Sequence, residues 1–96
     1  MIAPIKKKIV PLGKIVATPG ALEALEASKQ SAMEFLSRHR QGDWGDVCGE
    51  DWEANDEDLE IGNRVLSTYH TNAGIKLWII TEWDRSSTTI LLPDEY

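Results

Sequence analysis

The sequence predicts a single α+β domain in which two or three helices pack on a three- to four-stranded antiparallel sheet. The chain has 96 residues, which is the length of one domain. Its first two thirds carry helix caps followed by helix-forming residues. Its last third alternates apolar and polar residues between turn signals. Helices and strands that are segregated along the chain in this way are typical of α+β folds.

The N-terminal end is expected to be basic and flexible over residues 1–11, and the folded domain is expected over residues 12–96. Residues 6–8 are three lysines, and Pro4 and Pro11 interrupt the segment. No long apolar run follows these lysines, so a signal peptide is not expected.

A short β-branched stretch and two capped helices come first in the domain. Residues 14–18 are predicted to form a short strand or an extended lead-in. Thr18 at the N-cap and Pro19 at the first helical position predict a helix that ends near residues 28–30. Ser31 and Glu34 form a capping-box pattern that begins a second helix, which is predicted through Arg40 with a glycine stop at residue 42.

A third helix is predicted from Glu50 to Ile61, with Gly62 as its C-terminal stop. Acids in its first turn suit the positive end of the helix dipole. Asp58 and Glu60 lie at the opposite end, where acidic groups are expected to cost stability.

Three strands are predicted in the C-terminal third, over residues 64–71, 75–83 and 88–92. Turn-forming residues separate them at 71–74 and 84–87. These strands are expected to form an antiparallel meander, with the helices covering one side.

The distribution of charge is polarised. Residues 43–60, called here the acidic region, contain nine acids and no base. The whole chain carries −6, so the remaining residues together carry +3. Such a region repels nucleic acid and attracts basic partners or cations. The expected partner is therefore a basic protein, without direct nucleic-acid binding through this region.

Several classes of protein are excluded by composition. A single cysteine, Cys48, cannot form an intramolecular disulfide, which excludes a secreted disulfide scaffold. No stretch approaches the roughly 20 apolar residues of a transmembrane helix, so no membrane association is expected. The cytoplasm is the expected location.

Three segments carry a resemblance to a known family: residues 13–25 (Gly-Lys-Ile-Val-Ala-Thr-Pro-Gly-Ala-Leu-Glu-Ala-Leu), residues 42–46 (Gly-Asp-Trp-Gly-Asp) and residues 84–93 (Asp-Arg-Ser-Ser-Thr-Thr-Ile-Leu-Leu-Pro). Over residues 12–96 the chain resembles short bacterial proteins of plasmids and integrated mobile elements. Members are labelled plasmid-related protein or type I restriction subunit M. The second label implies a DNA methyltransferase, but this chain is too short and lacks both an Asn-Pro-Pro-aromatic motif and a Gly-rich cofactor turn. The resemblance supplies no catalytic residues.

The candidate binding residues lie in the acidic region and in one hairpin turn. They are Asp43, Trp44, Asp46, Asp51, Trp52, Glu53, Asp56 and Arg85. Residues 42–46 suit either a partner-binding loop or a tight turn in which Trp44 covers the core and Asp43 bonds to backbone. The tight turn is favoured, because buried aromatic residues dominate small cores. Arg85 suits phosphate or carboxylate binding, or turn chemistry alone.

No catalytic, metal-binding or cofactor-binding residues are predicted. Residues 56–67 depart from a calcium loop, because the glycine is one place late and Ser67 stands where glutamate is required. No Gly-x-Ser-x-Gly motif frames a serine.

The sequence therefore favours a non-enzymatic accessory protein that acts by protein–protein contact. The resemblance to mobile-element proteins implies modulation of a nucleic-acid-binding or defence system. One alternative is a small metal-dependent hydrolase that uses Asp43 and Asp46. Another is a structural homo-oligomer, such as a homodimer, in which residues 75–83 pair or pack across a two-fold axis.

Overall fold

A computed structural model describes residues 9–96, so most of the predicted basic N-terminus, including the lysine triplet, lies outside the described residues. The element order is β1 (Lys14–Ala17), α1 (Pro19–Ser28), α2 (Ala32–Arg40), α3 (Gly49–Ile61), β2 (Val65–His70), β3 (Lys76–Thr81), β4 (Ser87–Leu91) and a 3₁₀-helix (Pro93–Glu95). The predicted α+β class is confirmed. Within the described residues no helix is long and apolar enough to cross a membrane.

The helix boundaries follow the capping residues. The side chain of Thr18 accepts a hydrogen bond from the amide of Ala21 and begins α1, as predicted. The side chain of Ser31 accepts from Met33 and begins α2, whereas the Glu34 carboxylate binds the side-chain amide of Gln30 instead of completing a capping box. Gly62 ends α3 with φ 84°, a left-handed conformation that glycine adopts without strain.

The sheet has the strand order β1-β4-β3-β2 and is mixed, which corrects the prediction of a purely antiparallel sheet. The strands β2, β3 and β4 form the predicted antiparallel meander. This meander leaves the outer edge of β4 open, and β1 pairs there in the parallel direction. The parallel pairing is possible because three helices separate β1 from the meander, which is long enough for a crossover connection.

Gly13 makes the approach of β1 to β4 possible. Its φ is +61°, and a Cβ at this position would lie 2.4 Å from the carbonyl oxygen of Ser86. The next amide, that of Lys14, donates to the same carbonyl over 2.9 Å. A side chain at residue 13 would therefore separate β1 from β4.

The core has two parts. The larger part lies between the sheet and helices α1 and α2, and consists of Ala21, Ala24, Leu25, Phe35, Leu36, Tyr69, Leu77, Ile79 and Ile90. The smaller part consists of Val10, Trp44 and Val65, with Trp52 and Leu59 of α3 packed against it. Val10 is fully buried, and its amide donates to the carbonyl of Arg40 over 2.8 Å. The folded unit thus begins at or before Val10, whereas the sequence places the boundary at residue 12.

Two C-terminal side chains, those of Tyr96 and Glu95, contact different parts of the fold. Tyr96 packs against Trp78 at a ring-centroid distance of 5.9 Å, on the sheet face opposite Leu77 and Ile79. The Glu95 carboxylate accepts hydrogen bonds from Thr18 Oγ1 (2.5 Å) and from the amide of Gly20 (3.1 Å). Hydrogen bonding by the Thr18 hydroxyl is the main reason that the pKa of Glu95 lies below its ordinary value.

Candidate functional site

The loop before α3 is fixed to the outer edge of β2. The carbonyl of Trp44 accepts from the amide of Thr68 over 3.0 Å, and the amide of Asp46 donates to the carbonyl of Thr68 over 2.6 Å. Between them Gly45 has φ +77°, and a Cβ there would lie 2.1 Å from the Thr68 carbonyl oxygen. Both glycine conformation and glycine size are therefore required for this loop to act as a short added strand.

Trp44 lies in the core and has no exposed surface. Its indole N–H donates to Asp56 Oδ1 over 2.9 Å, and its ring meets the ring of His39 edge-on at 5.7 Å. This geometry matches the interpretation of residues 42–46 as a tight turn that covers the core. The Trp44 ring offers no surface to a partner, and Asp56 holds that ring in place.

Asp43 is held by an arginine. Arg38 donates to its two carboxylate oxygens over 2.8 Å and 3.4 Å, and the amide of Gly45 donates to Oδ1 over 3.0 Å. The hydrogen bond from Arg38 is the largest cause of the lowered pKa of Asp43, and the bond from Gly45 acts in the same direction. Burial raises the pKa of Tyr69, whose hydroxyl donates to the Asp43 carbonyl. The Asp43 carboxylate is thus engaged within the fold.

Asp46 pairs with a histidine at the surface. Its Oδ2 lies 2.8 Å from His70 Nδ1, and both side chains are substantially exposed. The carboxylates of Asp43 and Asp46 therefore each have a different partner within the fold. In residues 9–96 no group of three or more His, Cys, Asp or Glu side chains could hold a metal ion. No described geometry favours the hydrolase alternative.

Helix α3 is attached to the domain through one face. Asn55 is its one buried residue. The side-chain amide of Asn55 donates to the Leu66 carbonyl over 2.8 Å and accepts from the Leu66 amide over 3.1 Å. Asn55 thereby forms the same pair of bonds that a neighbouring strand would form with β2.

The solvent-exposed surface of α3, called here its acidic face, carries most of its acids. Its exposed acids are Glu50, Asp51, Glu53, Glu57 and Glu60. The side chains of Glu50, Asp51, Glu53 and Glu57 make no ion pair or hydrogen bond with the part of the chain that the structure describes. Among the predicted binding residues, Asp51 and Glu53 belong to this face, whereas Trp52 is half-buried against the smaller core.

Arg85 binds the C-terminal end of α3. Its guanidinium donates to the carbonyls of Asn63 (2.6 Å) and Glu82 (3.1 Å), and it lies 3.4 Å from the carbonyls of Asp58 and Leu59. Cations are favourable at this end of a helix dipole. Arg85 thus compensates for the acids in the last turn. Its contact with Leu59 joins residues 26 positions apart, which no local sequence pattern indicates.

The largest feature missed at the sequence level is a chain of buried hydrogen bonds that runs from Ser67 through His39 to the Leu12 carbonyl. Ser67 Oγ lies 2.5 Å from His39 Nδ1, and Thr81 Oγ1 lies 2.8 Å from His39 Nε2. Thr81 Oγ1 lies 2.7 Å from Thr88 Oγ1, which donates to the Leu12 carbonyl over 2.7 Å. Ser67, His39, Thr81 and Thr88 have no exposed surface.

Proton counting assigns the direction of this chain. Each hydroxyl has one proton, and a carbonyl oxygen can only accept. Thr88 gives its proton to the Leu12 carbonyl and therefore accepts from Thr81, which in turn accepts from His39 Nε2–H. Nδ1 of the neutral ring then accepts from Ser67. Ser67, Thr81 and Thr88 occupy core-facing strand positions, and hydroxyls on an inward face are the signal that could have revealed the chain.

The ring of His39 is neutral because it is buried. Burial lowers its pKa to about 4, and the positive charge of Arg85 acts in the same direction. The Ser67–His39 pair has no exposed surface and is part of the packed interior.

No protein-family model, curated protein or solved structure matches this chain. The resemblance to mobile-element proteins thus remains a prediction.

Proposed function

We propose that this protein is a non-enzymatic accessory protein that binds a basic protein partner through the exposed acidic face of α3. The observation that carries the proposal is the set of four carboxylates on that face, Glu50, Asp51, Glu53 and Glu57, without neutralising partners in the described residues. Carboxylates held at fixed spacing on a helix attract lysine- and arginine-rich surfaces and accelerate their association.

The exposed helix face supports the proposal better than the loop at residues 43–46. In that loop Trp44 is buried and Asp43 is engaged by Arg38. On the helix, Asp51 and Glu53 are exposed. The contact is therefore centred on α3, with Asp46 as the exposed acid of the loop.

The proposed partner is a nucleic-acid-binding protein, such as a component of a defence system. A basic groove that accepts a phosphate backbone has the charge needed to accept α3 instead. The 13 residues of α3 make a rod about 20 Å long, which corresponds to about six base pairs of duplex. The resemblance to proteins of mobile elements supports the same class of partner.

The test is a pull-down from the native host with three tagged proteins. The first is the wild type, and the second carries Asp51→Asn, Glu53→Gln and Glu57→Gln. The third is a charge-matched control with Glu23→Gln, Glu26→Gln and Asp94→Asn, which are exposed acids outside the acidic region. We expect the wild type and the control to capture the same basic protein and the α3 variant to lose it. Circular dichroism confirms that all three remain folded.

A competition experiment with the purified partner then tests separately whether the contact is acidic and whether it lies in a nucleic-acid-binding groove. If a DNA or RNA duplex competes with this protein for the partner, the nucleic-acid-binding groove is the contact. Capture without competition would retain the acidic contact and reject the groove. Equal capture by all three proteins would reject the acidic face of α3 as the binding surface.

A further inference from the structure

The two edge strands of the sheet, β2 and β1, differ in how their outward backbone groups are paired. At the β2 edge, the backbone groups of Thr68 pair with Trp44 and Asp46, and those of Leu66 pair with the side chain of Asn55. At the β1 edge, no residue in the described part of the chain pairs with the strand on the side away from β4. Edge strands that remain open are templates for another strand.

The open edge of β1 presents backbone donors and acceptors at alternate residues. The amides of Lys14 and Thr18 donate toward β4, to the carbonyls of Ser86 and Ile90. Because backbone groups alternate in direction along a strand, the N–H and C=O groups of Ile15 and Ala17 point away from β4. The side chains of Ile15 and Val16 are 47% and 41% exposed. The strand β1 thus has an open backbone edge and two exposed apolar, β-branched side chains.

We propose that β1 pairs antiparallel with β1 of a second copy of this chain, which joins two four-stranded sheets into one of eight strands. A two-fold axis at Val16 places Ile15 opposite Ala17 of the second copy. Antiparallel residues in such a pair exchange both of their hydrogen bonds. All four outward groups of each strand are then satisfied, and Val16 faces Val16 across the axis.

The charges around β1 do not oppose a second copy in this register. Lys14 falls opposite Thr18 of the second copy, not opposite its Lys14. Residues 12–22 contain no acid, and α3 packs on β2 at the far edge of the sheet. At about 4.8 Å per strand, the two β2 strands would lie about 34 Å apart. This distance exceeds the Debye length of about 8 Å, so the acidic regions of the two copies do not oppose pairing.

The interface is small, so the dimer is expected to depend on concentration. Four residues per strand fall well below the area of about 800 Å² per partner that is typical of stable complexes. The oligomeric state must therefore be measured over a wide range of protein concentration.

Sedimentation velocity of the whole chain tests the proposal. We expect the wild type to shift from monomer to dimer as its concentration rises toward about 1 mM. Val16→Lys places two ammonium groups at the axis and should lower the association constant at least about tenfold, which corresponds to about 1.4 kcal/mol. The control Leu22→Lys makes the same change of charge at another exposed apolar residue and should associate like the wild type. A monomeric wild type, or equal association by Val16→Lys, would overturn the proposal.

The register is tested by cross-linking. In a Val16→Cys variant that also carries Cys48→Ser, the two thiols would face each other in a non-hydrogen-bonded pair with Cα atoms about 4.5 Å apart. This spacing permits a disulfide. We expect a covalent dimer after mild oxidation, and little from Leu22→Cys with Cys48→Ser. Equal cross-linking of the two variants would contradict the register. The variant of α3 with three amides should dimerise normally, so this test is independent of the proposed function.

Discussion

His39 shows how one buried side chain controls the response of the domain to acid. Its two ring nitrogens bond to hydroxyls of β2 and β3, and no water is needed to satisfy them. An imidazolium would have to donate from both nitrogens, which would reverse the bond with Ser67 and bury a charge. Protonation of His39 therefore destabilises the folded state.

Acid is expected to destabilise the protein between pH 6.5 and pH 4. In this window the unfolded chain holds a proton on His39 that the folded chain does not, because the folded pKa is about 4 and the ordinary value is 6.5. The free energy of unfolding therefore falls as the pH falls, by about 3 kcal/mol at pH 4. Urea unfolding at several pH values measures this change.

Two variants, His39→Phe and His70→Gln, test whether His39 causes this fall in the free energy of unfolding. In His39→Phe the change between pH 6.5 and 4 should largely disappear, although stability at pH 7 drops because Ser67 loses its partner. In His70→Gln, which removes the surface histidine, the change should remain. The same pH profile in His39→Phe and the wild type would show that His39 is not responsible.

At the scale of elements, α3 is held by polar contacts near its middle and at its C-terminal end, together with the packing of Trp52 and Leu59. Asn55 binds the β2 edge at Leu66, and Arg85 binds the last carbonyls of the helix. Cys48 at the N-cap makes no side-chain hydrogen bond to the helix. A helix whose outer face is acidic therefore depends on a few specific hydrogen bonds for its position.

Arg85→Met is expected to release the C-terminal turn of α3. The variant keeps an apolar stem but loses the guanidinium, and should cost about 1–2 kcal/mol of unfolding free energy. Amide hydrogen exchange should increase in residues 58–63 before it increases in β3. Arg64→Met is the control, since Arg64 contacts Tyr96 instead of α3. Unchanged exchange in Arg85→Met would mean that the cap is dispensable.

At the scale of the whole molecule, the segment before β1 is part of the core. Val10 completes the smaller core with Trp44 and Val65, and the Leu12 carbonyl ends the hydrogen-bond chain that starts at Ser67. The chain and the core together connect α2, β2, β3, β4 and the N-terminal segment. Loss of this segment should therefore affect the entire domain.

Val10→Ala is expected to lower the free energy of unfolding by about 2 kcal/mol, because the fully buried side chain leaves a cavity. Its neighbour provides a matched control, since Ile9 is 54% exposed and Ile9→Ala should change stability little. Thermal and urea unfolding of both variants measure the difference. Equal effects would place the start of the folded unit after residue 10.

The sheet topology also limits how copies of the chain can associate. The sequence suggested that residues 75–83 pair or pack across a two-fold axis. In the fold, β3 lies between β2 and β4, so its backbone has no edge available for pairing. The open edge belongs to β1, whose four residues gave a much weaker signal in the sequence.

The sequence by itself determined the features that depend on neighbouring residues. The caps at Thr18 and Ser31, the glycine stop at Gly62 and the alternation in β2 and β3 are local, because each rests on contacts within a few residues. The acidity of the α3 surface follows from composition alone. These features were sufficient to predict the α+β class and the meander.

Only the tertiary structure decided which distant groups meet. The parallel pairing of β1 with β4, the burial of Trp44 against His39, and the capping of α3 by Arg85 join residues far apart in sequence. Buried polar groups require partners, but a sequence does not state which hydroxyl or carbonyl will supply them. In the fold, the guanidinium of Arg85 lies against the last carbonyls of α3. The sequence marked this residue as a candidate ligand contact, and the structure shows it at the C-terminal end of the helix.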